Sequence, residues 1–144
     1  MLDLADGVPY TVQRLAASCW ERLRVAAADG ADTHEPPTPA VALVKDALIA
    51  ALQQEDAAHT QVCTSLTEPQ KKALKAVTLE RGMSLLSAGD ASKHKIATSS
   101  MQRALAKLCD RGLIREEPKD GALHYRLEDP MIGLWLRWSQ HLPI

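Results

Sequence analysis

Residues 98–127 contain the clearest fold signal in the chain, and they read TSSMQRALAKLCDRGLIREEPKDGALHYRL. Apolar side chains recur in its first half at three- and four-residue spacing: Met101, Ala104, Leu105 and Leu108. This spacing predicts an amphipathic helix that turns these side chains towards a core. Thr98, Ser99 or Ser100 is a suitable N-cap, and Gly112 stands where a residue just past a helix end is expected.

The second half of the stretch predicts a β-hairpin. Leu113–Glu117 and Leu123–Leu127 are the expected strands, and the segment between them, Pro118–Ala122, contains the turn-forming pair Asp120-Gly121. An Asp-Gly pair between two strand-like runs is a strong hairpin signal, because both residues tolerate the positive φ angles of a tight turn.

Upstream of this stretch, a helix start is indicated by three residues. Thr67 is a candidate cap, Pro69 suits the first turn, and Gln70 is placed to complete a capping box with Thr67. The helix is expected to run through Val77, and Ser92–Ile96 is expected to form a second, short helix. Two helices therefore precede the amphipathic one.

Downstream, Asp129 and Pro130 predict the cap and first turn of a last helix, residues 131–141. We expect its Trp135 and Trp138 to pack in the core and Arg137 to stay solvated. The order of three helices, a glycine and a hairpin is that of a winged helix-turn-helix domain, which we place at residues 66–144.

Residues 1–65 predict a separate helical segment. An amphipathic helix is expected from Pro9 to near Gly30, followed by a proline-rich connector at residues 31–39 and a second helix from Val41 to about His59. The predicted fold class is therefore mainly α, with an N-terminal helical segment before the winged helix and its two-stranded wing.

The charges divide the chain in the same way. The net charge of −1 hides an acidic first part, with four Arg or Lys against nine Asp or Glu in residues 1–66, and a basic remainder with thirteen against nine. Residues 87–115 hold six Arg or Lys against two Asp. Such an asymmetry indicates an anion-binding surface in the second part.

The third helix of a winged helix is the element that enters the major groove in DNA-binding members. We therefore predict a double-stranded DNA interface made of polar and basic residues: Lys93, Lys95, Ser99, Ser100, Gln102, Arg103, Lys107 and Lys119. Two alternatives stay open. Lys107 and Arg111 also suit the C-terminal end of a helix dipole, and Lys119 is an ordinary turn residue.

The chain also resembles a known family. Residues 7–13, GVPYTVQ, with the helix after them, look like the start of the helical lid in AAA+ and STAND-type ATPases, especially archaeal-type ones. Residues 99–105 (SSMQRAL), 112–114 (GLI), 125–130 (YRLEDP) and 134–137 (LWLR) are similar to the winged helix that follows that lid. The resemblance implies that Gly7 and Pro9 lie near a nucleotide in a full-length parent, which would hold ATP and Mg²⁺.

No catalytic site is expected in this chain. The sequence has no Gly-rich loop ending in Gly-Lys-Ser or Gly-Lys-Thr, so we expect no cofactor and no ATP hydrolysis here. It also lacks a nucleophile-base-acid arrangement. Cys19, Cys63 and Cys109 are too widely spaced for a zinc site, so we expect free thiols and no metal.

No apolar run is long enough to span a bilayer, and no secretion signal is recognisable at the start, so we expect a cytoplasmic protein without a membrane partner. The first functional hypothesis is a C-terminal winged-helix module of an ATPase that binds DNA or regulates the ATPase. The alternatives are a protein-interaction or dimerisation module, which would bind the ATPase core or another protomer, and a stand-alone transcriptional regulator.

Overall fold

The computed structural model describes residues 8–28, 40–119 and 122–142. The chain forms two compact units, Met1–Ala57 and Ala58–Ile144. The described elements follow in this order: α1 (Pro9–Ala28), α2 (Ala40–Gln54), α3 (Asp56–Thr64), α4 (Glu68–Leu79), α5 (Ala88–Lys93), α6 (Thr98–Asp110), β1 (Ile114–Lys119), β2 (Ala122–Leu127) and α7 (Pro130–Ser139). The predicted class, mainly α with a two-stranded wing, is confirmed.

In the first unit, α1 packs against α2. Buried aliphatic side chains from both helices form this contact's core: Leu15, Leu48 and Leu52. The predicted second helix does not continue to His59, because the helix ends at Gln54 and α3 begins at Asp56. Asp56 lies in the first turn of α3, where its negative charge is favourable to the helix dipole.

The second unit is built on α4 and α6, which pack against each other. Its core cluster consists of side chains that are at most a few per cent exposed, and it includes Leu74, Val77, Met101, Leu105, Leu108 and Ile114. The start of α4 is as predicted, with Pro69 in the first turn and the Thr67 N–H donating to Gln70 Oε1 at 2.9 Å. Burial of the 101/104/105/108 face of α6 is confirmed.

Two details before α6 differ from the prediction. The short helix is Ala88–Lys93 rather than Ser92–Ile96, because Lys95 has a left-handed backbone with φ 52° that no α-helix contains. The N-cap of α6 is Ala97, not Thr98, Ser99 or Ser100, and it provides no side-chain hydrogen bond. Thr98 is instead the first helical residue.

The wing is an antiparallel pair with Ile114 opposite Leu127 and Lys119 opposite Ala122. The prediction placed Pro118 in the turn, but this residue lies inside β1, opposite Leu123. A strand at the edge of a sheet tolerates proline, since one side of it needs no N–H donor. The turn pair Asp120-Gly121 lies outside the described residues.

The last helix begins as predicted, because Asp129 Oδ1 accepts the Met131 N–H at 2.9 Å and Pro130 follows the cap. Trp135 is buried, and its indole stacks on the His59 ring with centroids 5.6 Å apart. The expectation that Arg137 stays solvated is wrong. Its guanidinium is partly buried and donates to the Thr78 carbonyl at 3.0 Å, which joins α7 to α4.

Candidate nucleic-acid interface

The exposed face of α6 is the centre of the candidate site. The helix buries one side in the core, and this leaves Ser99, Gln102, Arg103 and Lys107 on the exposed side. Ser100 belongs to the boundary between the two sides, since its side chain is half-buried. A single exposed face with polar and basic side chains is the arrangement that a major-groove helix requires.

Arg103 has no acidic partner among the described residues. Its Nε donates to the Ser99 carbonyl one turn earlier, at 3.3 Å. The guanidinium therefore keeps its charge and most of its donors for another acceptor. A planar fork of donors suits either a phosphate or the O6 and N7 edge of guanine.

Lys107 is partly neutralised by Asp110, whose Oδ2 lies 3.1 Å from the ammonium nitrogen. Both side chains are well exposed, and an exposed pair of this kind contributes at most about 1 kcal/mol. A phosphate can therefore compete for Lys107 at little cost.

Lys93 is held more firmly. Its ammonium lies 2.6 Å from Glu80 Oε1, which His94 also approaches at 3.3 Å. The hydrogen bond from Lys93 is the largest cause that lowers the pKa of Glu80, and the Lys93 and His94 charges add to it against the cost of burial. Lys93 therefore joins α5 to Glu80 at the end of α4. The spacing of residues in the sequence did not reveal this partner.

Lys95, two residues further along the chain, is not held in this way. The residue is exposed and makes no ion pair within the part of the chain that the structure describes. Its backbone carbonyl accepts a hydrogen bond from the Lys72 ammonium at 2.8 Å, so the charge of Lys72 lies against the backbone just before α6. Lys72 and the nearby Lys75 were not among the predicted site residues. Their signal was the KK-x-x-K pattern of residues 71–75 on the exposed side of α4.

The guanidinium of Arg111 makes hydrogen bonds within the protein. Its two terminal nitrogens donate to the Ser65 carbonyl at 3.2 Å and to the Ser65 hydroxyl at 2.6 Å. This joins the C-terminal end of α6 to the turn after α3. Arg111 is therefore explained by a structural contact, which the helix dipole complements.

The wing contributes little positive charge. Arg115 pairs with Glu128 at 3.0 Å, and Arg126 pairs with Glu117 at 3.4 Å. The side chain of Lys119 lies outside the described residues. Among the described wing residues, both arginines are thus matched by carboxylates, and the basic surface is concentrated on α6 and the loop before it.

The remaining predicted positions lie in the first unit. Gly7 lies outside the described residues, and Pro9 is the exposed first residue of α1. A proline at this position needs no ligand to explain it, because its fixed φ suits the first helical turn.

The thiols do not have the features of a catalytic nucleophile. Cys63 and Cys109 are half-buried, and burial is the main cause that raises the pKa of each. Both therefore stay protonated near neutral pH, whereas a reactive cysteine needs a lowered pKa. Within the described ranges, no three His, Cys, Asp or Glu side chains cluster as metal ligands would, and no helix is both long and apolar enough to cross a membrane.

Comparison with known families gives one match. The model of a family described as a probable winged helix domain matches residues 57–138, which is more than half of the chain. The searches of curated proteins and of solved structures give no match. The resemblance stated from the sequence is therefore supported for the winged helix, while nothing found supports an AAA+ or STAND-type parent.

Proposed function

Because the chain belongs to the family of probable winged helix domains, we propose that it binds double-stranded DNA through the exposed face of α6 and the loop that precedes it. A winged helix suits either DNA binding or protein interaction. The single observation that favours DNA is Arg103, which projects from the exposed face of α6 with no carboxylate partner among the described residues.

The charges support a contact that is mainly electrostatic. Arg103 and Lys95 are available to phosphates, and Lys107 becomes available when its exposed pair with Asp110 opens. Each phosphate neutralised releases counterions, so the affinity should fall as salt rises. Ser99 and Gln102 add uncharged donors and acceptors that suit base edges.

The test is the affinity of the full chain for a labelled random duplex across a series of salt concentrations. We expect wild type to bind at low salt, with a slope of log affinity against log salt that reports a few phosphate contacts. The double variant Lys95→Gln/Arg103→Gln should bind more weakly and flatten that slope by about one per lost phosphate contact. Lys45→Gln, on the exposed side of α2, is the matched control and should leave both values unchanged.

Absence of binding by wild type at low salt would refute the proposal. Equal slopes for wild type and the double variant would place DNA on another surface, and would refute the role of α6. Thermal unfolding of each variant, followed by far-UV circular dichroism, excludes a loss of fold as the cause.

A protein-interaction role is the second candidate, and the wing supports it. Leu123 on β2 is 47% exposed and so offers an apolar side chain to a partner. Trp135 offers a protein partner little surface, because it is only 7% exposed and stacks on His59. A molar mass that rises with concentration, and that Leu123→Ser abolishes, would favour this role.

The link to an ATPase stays a prediction of the resemblance, which rests for the N-terminal unit on residues 7–13. A role as a stand-alone transcriptional regulator, the separate third alternative, also stays a prediction, and it would require DNA binding with a strong sequence preference.

A further inference from the structure

A groove of about 270 Å³ lies on the second unit, on the side of α4 that faces α7. Its floor is apolar and is made of Leu74, Trp135 and Leu136. Its rim carries three lysines from one turn and a half of α4: Lys71, Lys72 and Lys75. None of the residues that line it is a carboxylate. The groove therefore places a hydrocarbon surface beside concentrated positive charge.

The three lysines are only partly compensated. Lys71 pairs with Glu68 at 2.8 Å. Lys72 has a neutral acceptor, the Lys95 carbonyl, and Lys75 makes no ion pair within the described part of the chain. Like charges three or four residues apart on a helix repel each other. An anion on the rim would relieve this repulsion, so the groove favours a negatively charged ligand.

The last turn of α7 lies at the other end of the groove. Two of its carbonyls already accept hydrogen bonds within the chain: Leu136 accepts from the Gln140 N–H, and Arg137 accepts from the Leu142 N–H. The positive charge of the groove comes from the α4 lysines at the opposite rim.

We propose that this groove binds a small amphipathic organic anion, with its hydrocarbon part on Leu74, Trp135 and Leu136 and its carboxylate or sulfonate on Lys72 and Lys75. The volume is just below the usual range for small-molecule sites, so the groove suits only a ligand with a short chain or a single ring system. Charge complementarity and the apolar floor together select this class over an inorganic anion, which would not use the floor.

The groove is connected to the proposed DNA surface through Lys72. Its ammonium holds the carbonyl of Lys95, a residue with the left-handed φ of 52° that lies three positions before α6. A non-glycine residue in that conformation needs support from its surroundings. A ligand that draws Lys72 into the groove removes this support and neutralises charge near α6. If the chain binds DNA as proposed above, the ligand should therefore weaken DNA binding.

The first arm of the test measures ligand binding alone. The probe is anilinonaphthalene sulfonate, added to the full chain and displaced by octanoate, with octylamine as a cationic competitor of equal chain length. We expect octanoate to displace the probe and octylamine to fail. Lys72→Gln/Lys75→Gln should weaken octanoate binding by about tenfold, because the charge-assisted contact between its carboxylate and the lysines is lost. Lys75→Arg should retain binding, and Lys45→Gln should behave as wild type.

Equal competition by octanoate and octylamine, or equal affinity of wild type and the double variant, would overturn the site. Displacement by an acidic amphipathic peptide but not by octanoate would overturn the small-molecule ligand and favour a protein partner. Far-UV circular dichroism of each variant excludes unfolding as the cause.

The second arm repeats the duplex titration with saturating octanoate. We expect DNA affinity to fall by about fivefold in wild type, within the usual range of coupling between sites, and not in Lys72→Gln. Octanoate binding without any DNA binding would contradict the proposed function and leave the groove intact. DNA binding with no octanoate binding would contradict the groove and leave the proposed function intact.

Discussion

The carbonyl oxygen of Gly82 accepts a 3.1 Å hydrogen bond from the backbone N–H of Tyr125, so the loop after α4 lies directly against β2. The approach is possible only because position 82 has no side chain. A Cβ built at position 82 would lie 1.6 Å from the backbone carbonyl oxygen of Tyr125, and the φ of 73° already favours glycine. This contact positions the wing relative to the three helices.

Gly82→Ala should therefore lower the free energy of unfolding by more than about 3 kcal/mol, since backbone rather than a flexible side chain is in the way. Gly112→Ala is the matched control. It shares a positive φ but meets nothing within 4 Å, and it should cost only about 1–2 kcal/mol. Urea denaturation followed by far-UV circular dichroism measures both. Equal losses in the two variants would contradict the role of the close approach.

The stack of His59 on Trp135 predicts the effect of removing the indole. Trp135→Ala should cost about 3–5 kcal/mol, because it empties a buried site next to a buried ring. Trp20→Ala on α1 should change stability by less than about 1 kcal/mol, since Trp20 is 67% exposed. Unfolding midpoints in urea compare the two. A mild effect at position 135 would show that the stack adds little to the fold.

Glu80 predicts a dependence of stability on pH. The Lys93 hydrogen bond lowers its pKa in the folded state, so the carboxylate stabilises the fold above its unfolded pKa, and this is lost as pH falls through the folded pKa. Glu80→Gln should therefore lower the melting temperature at neutral pH and converge with wild type as the pH falls below the folded-state pKa of Glu80. The same comparison in a Lys93→Gln background should show a smaller change. A difference that stays constant with pH would rule out this account.

Two arginines of similar appearance in the sequence should behave oppositely. Arg111→Ala removes two hydrogen bonds to Ser65, and should lower the free energy of unfolding by about 1–2 kcal/mol with little change in DNA affinity. Arg103→Ala should leave stability within about 0.5 kcal/mol of wild type and weaken DNA binding. Each variant is measured in both assays. If both lose DNA affinity equally, the basic surface extends to the end of α6.

The main elements were predictable because their signals are local. The apolar spacing of α6, the glycine after it and the Asp129-Pro130 pair each act within a few residues, and the hairpin is bounded by its own turn residues. Gly112 indeed has a positive φ of 66°. The break at Glu55 was missed because α2 and α3 form one nearly continuous helical pattern in the sequence.

The sequence could not predict which basic side chains of the candidate site already have partners within the protein and which can still bind an anion. Counting residues 87–115 gives a strong excess of positive charge, but the Glu80 that holds Lys93 lies outside that window. Arg111 bonds to Ser65, 46 positions earlier in the chain. Such partners are set by tertiary packing. The same packing brings the ammonium of Lys72 on α4 to the carbonyl of Lys95, 23 positions later in the chain, and so adds a cation near the start of α6.

A DNA interface on α6 can be tested by mapping the amide chemical shifts of the full chain during titration with a short duplex at low salt. We expect the largest changes at Lys95, Ser99, Gln102, Arg103 and Lys107, with small changes at Arg115 and Arg126 of the wing. Changes confined to the wing or to α1, or none at all, would contradict a DNA interface on α6.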